Sequence, residues 1–347
     1  MVSIRQTSIQ KGKTMDFLSD FLMRLLTQFQ SPTLGFLIGG MLIAALGSKL
    51  TIPDAIYKFI VFMLLMKIGI KGGMEIRDAN LAEMILPAIF AMFIGIVIVL
   101  LGIFIFSLLP NIKKEDGYAT AGLFGAVSAS TFAAAMVVLE EESIAYEAWV
   151  PALYPFMDIP ALVLAIVLAN IYSKKQKDGS QSKVDVWEII KDSLQGSALS
   201  ALLLGLALGL LTNPDRVFDS FYEPLFRGFL SVLMLIMGME AYARINELRR
   251  VAHWYAVYAF FAPIVHGLIA FGLGYIAHHL VGFSAGGTVL LAVMAASSSD
   301  ISGPPTLRSG IPKANPSSYI GASTSVGTPV AIAICIPLFI VLAQLVF

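Results

Sequence analysis

Apolar stretches of bilayer-crossing length recur throughout this chain, near residues 33–48, 55–74, 81–109, 119–138, 147–172, 196–212, 221–243, 251–281, 286–307 and 316–344. A helix needs roughly 20 such residues to cross a hydrocarbon core, and a chain with ten of them has little choice of solvent. Of its 347 residues 57% are hydrophobic and 13% charged, against about 25% charged in a soluble domain. The formal net charge is zero, which argues against a nucleic-acid partner. The single Cys335 forms no internal disulfide and, by count alone, speaks against a thiolate metal site. No Walker A loop is present, so ATP is not the evident energy source. Residues 1–14, MVSIRQTSIQKGKT, are polar and basic and precede a second methionine, Met15. They read as a mis-assigned start or a disordered extension.

The one long hydrophilic stretch, residues 173–193, divides the ten spans into five and five. The reading is of an all-α membrane protein: residues 15–172 form one five-helix repeat, 173–193 a linker and 194–347 a second repeat. Landmarks recur at a nearly constant offset. Gly35 and Gly39 match Gly205 and Gly209 at 170, Gly69 matches Gly238 at 169, and Gly95 and Gly102 match Gly267 and Gly274 at 172. Ser128 matches Ser298 at 170, and Pro160 matches Pro329 at 169. An odd number of spans per half inverts the second half, the plan of many secondary transporters. Thirteen Lys and Arg fall on the linker side and eight on the other, with Lys58 and Lys67 inside a span. The positive-inside rule then makes the linker cytoplasmic and leaves both termini outside.

Spans four and nine look broken. GGTVLLAVMAA is a half-length helix, SSSDISG follows it, and Pro304 and Pro305 can open a new helix. Broken backbone at membrane depth must face protein or a water-filled cavity. A helix beginning there offers N–H groups to an anion, and a helix ending there offers carbonyls to a cation. The equivalent GAVSASTFAAAM carries Ser128, Ser130 and Thr131, of which Ser130 or Thr131 could cap the following helix. In inverted halves the two breaks approach each other near the midplane. The plainer alternative is that these serines only bond neighbouring helices.

Two acids lie inside spans, Asp158 and Asp300. Carboxylates at that depth are costly and mark sites by default, and sodium suits their oxygens. Asp158 with Ser323, Thr324 and Ser325 makes an all-oxygen sodium set; the alternative is a buried carboxylate paired with a donor such as Lys67. Glu140, Glu141 and Glu142 read as a solvated outer loop, and His266 as a packing contact. His278 and His279 fall near a span end and lack metal-ligand spacing to a partner.

Long motifs, among them SPTLGFLIGGMLIAALGSKLTIPDAIYKFI, YEAWVPALYPFMDIPALV, FYEPLFRGFLS and SSSDISGPPTLRSGIP, closely resemble the cyanobacterial sodium-dependent bicarbonate transporter family SbtA across residues 15–347. The resemblance implies a sodium/bicarbonate symporter of the plasma membrane, serving a carbon-concentrating mechanism. It implies an elevator-type homotrimer whose core domain slides against a gate domain, each built from both repeats, and a cytoplasmic PII-like regulator, SbtB. The bicarbonate site of that family carries over to Ser128, Ala129, Ser130, Thr131, Ser298, Ser299, Asp300, Ser302 and Gly303, with Asp300 also a sodium ligand. The linker is shorter than in the family, and Ala129 stands where the family has glycine. Competing readings are a transporter of another small carboxylate, an anion channel, and an intramembrane hydrolase. The last would use Asp158 and Asp300, or a serine with a histidine, and its aspartyl version would need the two carboxylates to share a site.

Overall fold

The structure is a computed structural model that describes residues 32–77, 81–147, 149–176, 197–248, 253–300 and 303–347, with Met23, Trp187, Lys191 and Gln195 as isolated positions. The extension 1–14, most of the linker 173–193 and Ser302 lie outside the described residues. Every described element is helical. In chain order these are α1 (Pro32–Ala45), α2 (Asp54–Ile76), α3 (Leu81–Leu108), α4 (Lys114–Gly125), α5 (Ala129–Glu141) and α6 (Tyr154–Gln176). Then follow α7 (Ser197–Leu211), α8 (Glu223–Leu248), α9 (His253–Val281), α10 (Ala285–Ala296), α11 (Gly303–Gly310) and α12 (Pro316–Val346).

By length and composition, 6 helices among the described residues suffice to cross a membrane: Ala82–Leu108, Lys114–Glu141 taken across its break, Val150–Ser173, Asp215–Ala243, His253–Val281 and Pro316–Val346. Fewer qualify than the ten apolar stretches in the sequence, for physical reasons. Helices α1, α7 and α10 are apolar but shorter, and α2 carries Lys58, Lys67 and Lys71.

Four helices are joined by glycine. Helix α2 packs on α7, and α1 on α8. A Cβ on Gly69 would strike the Leu202 carbonyl and the Leu206 amide, and one on Gly205 would strike the Met66 carbonyl and the Ile70 amide. The α1–α8 crossing repeats this contact: a Cβ on Gly238 meets the Leu37 carbonyl and the Met41 amide, and one on Gly40 meets the Leu235 carbonyl and the Met239 amide. Backbones this close leave no room for a methyl group. The match corrects the pairing drawn from sequence. Gly40 stands in for Gly205, whereas Gly35 and Gly39 have open space around them. The offset between α1 and α7 is therefore 165 (205 − 40) rather than 170, while Gly69 in α2 and Gly238 in α8 keep theirs of 169.

Helix α5 projects its carboxyl end against this frame. Lys67, 1% exposed, lies 3.1 Å from Glu223 and 3.9 Å from Glu140, with its ammonium 4.0 Å from the centroid of the Phe226 ring. Lys71 lies 3.5 Å from Glu140, and Arg227 3.7 Å from Glu141. Glu140 is thus a half-buried anchor and not part of a solvated loop, because a buried ammonium needs a counter-charge. Cations at the carboxyl end of α5 also complement its dipole. Lys67 is engaged here and is not the partner of Asp158.

Replacing Gly205 with Ala should force α2 and α7 apart, costing about 1–3 kcal/mol as overpacking does. Gly272 is the control, since a Cβ added there would meet nothing within 4 Å. Thermal unfolding in detergent should fall for Gly205→Ala and hold for Gly272→Ala.

Candidate functional site

Helix α4 stops at Gly125 and α5 starts at Ala129, so residues 126–128 form a short extended link. Ser128 (φ −90°, ψ 119°) is the amino cap of α5, and its Oγ accepts from the Thr131 amide at 3.1 Å. The capping residue is therefore Ser128, not Ser130 or Thr131. Ala129 is the first helical residue. Among described non-glycine residues only Asn111 and Ser143 have positive φ, so alanine meets no backbone strain there.

The second break has the same plan. Helix α10 ends at Ala296, Ser297 follows in extended conformation (φ −82°, ψ 174°), and α11 begins at Gly303 with both prolines in its first turn. The Ser299 Oγ accepts from the Gly303 amide at 2.9 Å.

Breaking two helices frees backbone groups, and each broken helix supplies partners for the other. The Ser128 amide donates to Ser297 Oγ at 2.9 Å. The Ser299 amide donates to the Leu123 carbonyl, also at 2.9 Å. Ser297 Oγ in turn donates to the Met294 carbonyl at 2.7 Å, closing off α10. Helix α6 holds the first link from the side. The Val127 amide donates to Asp158 Oδ1 and the Tyr154 hydroxyl donates to the Val127 carbonyl, both at 2.9 Å. Tyr154 and Asp158 are one turn apart and so share a helix face. On the other side, Ser323 opens a π turn of α12 (Ser323–Gly327), and its hydroxyl lies 2.7 Å from that of Ser298. π turns of this kind recur at functional sites.

Most of the residues picked out by sequence converge here. Ser128, Ser130, Thr131, Ser298 and Ser299 are buried. Ser128 and Ser130 hydroxyls lie 3.1 Å apart, and Ser130 donates to Asp300 Oδ2 at 2.5 Å, joining the two breaks. The proposed sodium set is not gathered around one point by hydrogen bonds. Asp158 is attached to the first link and Ser323 to the second. Thr324 and Ser325 are buried in the same π turn, where the Ser325 hydroxyl has no partner. Ser302 falls outside the described residues.

Sequence reasoning missed Ser297 and Tyr154. Ser297 was visible as the first of three consecutive serines, but its counterpart at the repeat offset is Val127, which has no hydroxyl. Tyr154 was visible only as the residue one turn before Asp158. His266 is buried in α9 with its ring 6.0 Å from Tyr258, and His278 and His279 pack near Phe347 and Tyr275.

This geometry is that of two interlocked half-helix pairs lined with hydroxyls. The sequence matches the Na+-dependent bicarbonate transporter superfamily over residues 32–344. The chain belongs to that superfamily. It is a transporter and not an enzyme, and its apolar helices make it a multi-pass membrane protein. No curated protein matches the chain. The family match covers both links, the π turn and the Lys67 cluster, so the interlocked region lies wholly inside the transporter domain.

Removing the Ser297 hydroxyl should leave the buried Ser128 amide without an acceptor, a loss of about 1–3 kcal/mol. Ser297→Ala is expected to melt earlier and to take up less solute, whereas Ser297→Thr, which keeps the hydroxyl, should restore both.

Proposed function

We propose that this transporter is a sodium-coupled bicarbonate symporter of the plasma membrane. The observation that carries the reading is the pair of interlocked breaks in a chain of this superfamily. Bicarbonate is small, planar and anionic. It suits the amino end of α5, where N–H groups without an acceptor inside the helix stand with the hydroxyls of Ser128, Ser130 and Thr131. Ala129, Ser298, Ser299, Asp300, Ser302 and Gly303 complete the proposed seat. Sodium is co-transported cargo. Its proposed oxygens come from Asp158, Asp300, Ser323, Thr324 and Ser325, a hard-donor set.

We further propose ten spans in two inverted repeats. The twin glycine crossings support this, since α2–α7 and α1–α8 exchange roles between halves. Contacts between helix ends fit the grouping of loops onto two sides of the membrane. Arg77 bonds Asn213, Glu147 bonds Ser284, and Asp116 bonds the Asn315 amide. Each joins loops assigned to one side of the membrane, the first two outside and the third cytoplasmic. An elevator then has natural parts: a gate built on α1, α2, α7 and α8, and a core carrying both breaks. A homotrimer and a cytoplasmic SbtB-type regulator remain expectations of the family resemblance.

Labelled bicarbonate uptake into proteoliposomes tests the reading: accumulation should require an inward sodium gradient. Asp158→Asn keeps the acceptor oxygen for the Val127 amide but removes the charge. It should therefore fold normally yet need more sodium for half-maximal uptake. An unchanged sodium curve would reduce Asp158 to a backbone clamp. Bicarbonate uptake indifferent to sodium, or uptake of another small carboxylate instead, would refute the symporter assignment.

A further inference from the structure

Asp300 stands at the end of the second link, but its carboxylate reaches across to the amino end of α5. Its Oδ2 accepts from the Ser130 hydroxyl, and besides its own backbone N–H the carboxylate also faces the Ser128 hydroxyl and the Ala129 backbone N–H. These are the cap and first two residues of a 13-residue helix. The first N–H groups of a helix have no acceptor within it, and the helix dipole puts positive potential there. A carboxylate presents the same planar pair of anionic oxygens as bicarbonate. One anion thus already occupies the seat proposed for the other, and it belongs to the protein.

Asp300 does not exhaust that seat. The Thr131 hydroxyl, in the same first turn and 0% exposed, has no partner. Asp300 Oδ1 is buried and also has none. A buried, unmatched hydroxyl and a half-used carboxylate at one helix end are costly unless another ligand is accommodated there. A free anion with three oxygens can use the donor that the tethered carboxylate leaves idle. A cation can use the carboxylate oxygen that the serines leave idle.

We propose that Asp300 is a tethered stand-in for the transported anion, filling the amino end of α5 when no sodium is bound and vacating it when sodium takes its carboxylate. The inference rests on the bicarbonate reading above and assigns that reading a coupling device. Two anions sharing one seat repel each other strongly in a medium of low polarity. Without sodium, bicarbonate must displace a competitor that cannot diffuse away. With sodium held by the Asp300 carboxylate, the α5 donors are released and the repulsion is neutralised. Each ligand then favours the other by the same factor, as linkage requires. Sodium need not touch bicarbonate for this to work, and uncoupled anion leak is suppressed by the same contact.

The test measures bicarbonate binding to the purified full-length protein in sodium and in choline buffer, alongside uptake in proteoliposomes. Wild type should bind in sodium and scarcely in choline. Asp300→Asn, isosteric and uncharged, should bind bicarbonate in choline about tenfold or more tightly than wild type does, the scale of losing one charge-assisted competitor. Sodium should barely shift its curve, and it should no longer accumulate bicarbonate along a sodium gradient. Weaker binding than wild type in both buffers would overturn the proposal and make Asp300 a direct ligand only. Wild type supplies an arm that needs no variant. Formate, a free copy of the Asp300 head group, should compete with bicarbonate in sodium buffer, and failure to compete would equally overturn the proposal. A different result sinks the underlying reading: wild-type protein that neither binds nor takes up bicarbonate in sodium.

Discussion

A peptide group inside a bilayer must find a hydrogen-bond partner within the protein, because lipid offers none. Everything distinctive in this structure follows from breaking two helices under that constraint. The links at 126–128 and 297–299 free amides and carbonyls, and each broken helix hands groups to the other: the Ser128 amide goes to Ser297, and the Ser299 amide to the Leu123 carbonyl at the end of α4. Asp158 and Tyr154 take the groups flanking Val127. Neither break is satisfied on its own. The two are one structural unit, which is why Ser130 of one break meets Asp300 of the other.

The frame around this unit is held differently. The α2–α7 and α1–α8 crossings depend on glycine because close backbone approach maximises dispersion contact where lipid provides no hydrophobic drive between helices. The tie between frame and breaks is ionic: Lys67 and Lys71 hold Glu140, and Arg227 holds Glu141. The Lys67 ammonium, buried, is costly to leave unpaired, whereas the largely exposed Arg227–Glu141 pair adds little. Together these contacts make the carboxyl end of α5 a firm attachment to the frame.

Asp158 illustrates how one group can serve two purposes. As acceptor for the Val127 amide it is structural, and any acceptor of that shape would serve. As a charge it is expensive at 0% exposure, and an amide side chain would have held the link more cheaply. On the symporter reading proposed above, that charge is what a transported cation would use. Asp300 poses the same question at the other break, with its second oxygen unused.

Local chemistry made much of this legible. Apolar length identified the solvent, Pro304 and Pro305 beside four serines marked a break, and GAVSAST marked its counterpart. Those signals are written in adjacent residues, because helix propensity, capping and membrane length are all local. Pairings were not legible. Gly35 and Gly39 look like the better match to Gly205 and Gly209, yet Gly40 makes the contact, since a helix shows which residues share a face but not which face meets a neighbour. Lys67 was a plausible partner for Asp158 until Glu223 and Glu140 occupied it. Ser297 and Tyr154 have meaning only through backbone groups 169 and 27 residues away. Sequence alone determined that this chain is a helical membrane protein with two broken segments. Only the tertiary structure decided how the breaks lock together, because a freed peptide group takes whatever partner the folded chain brings within hydrogen-bonding distance.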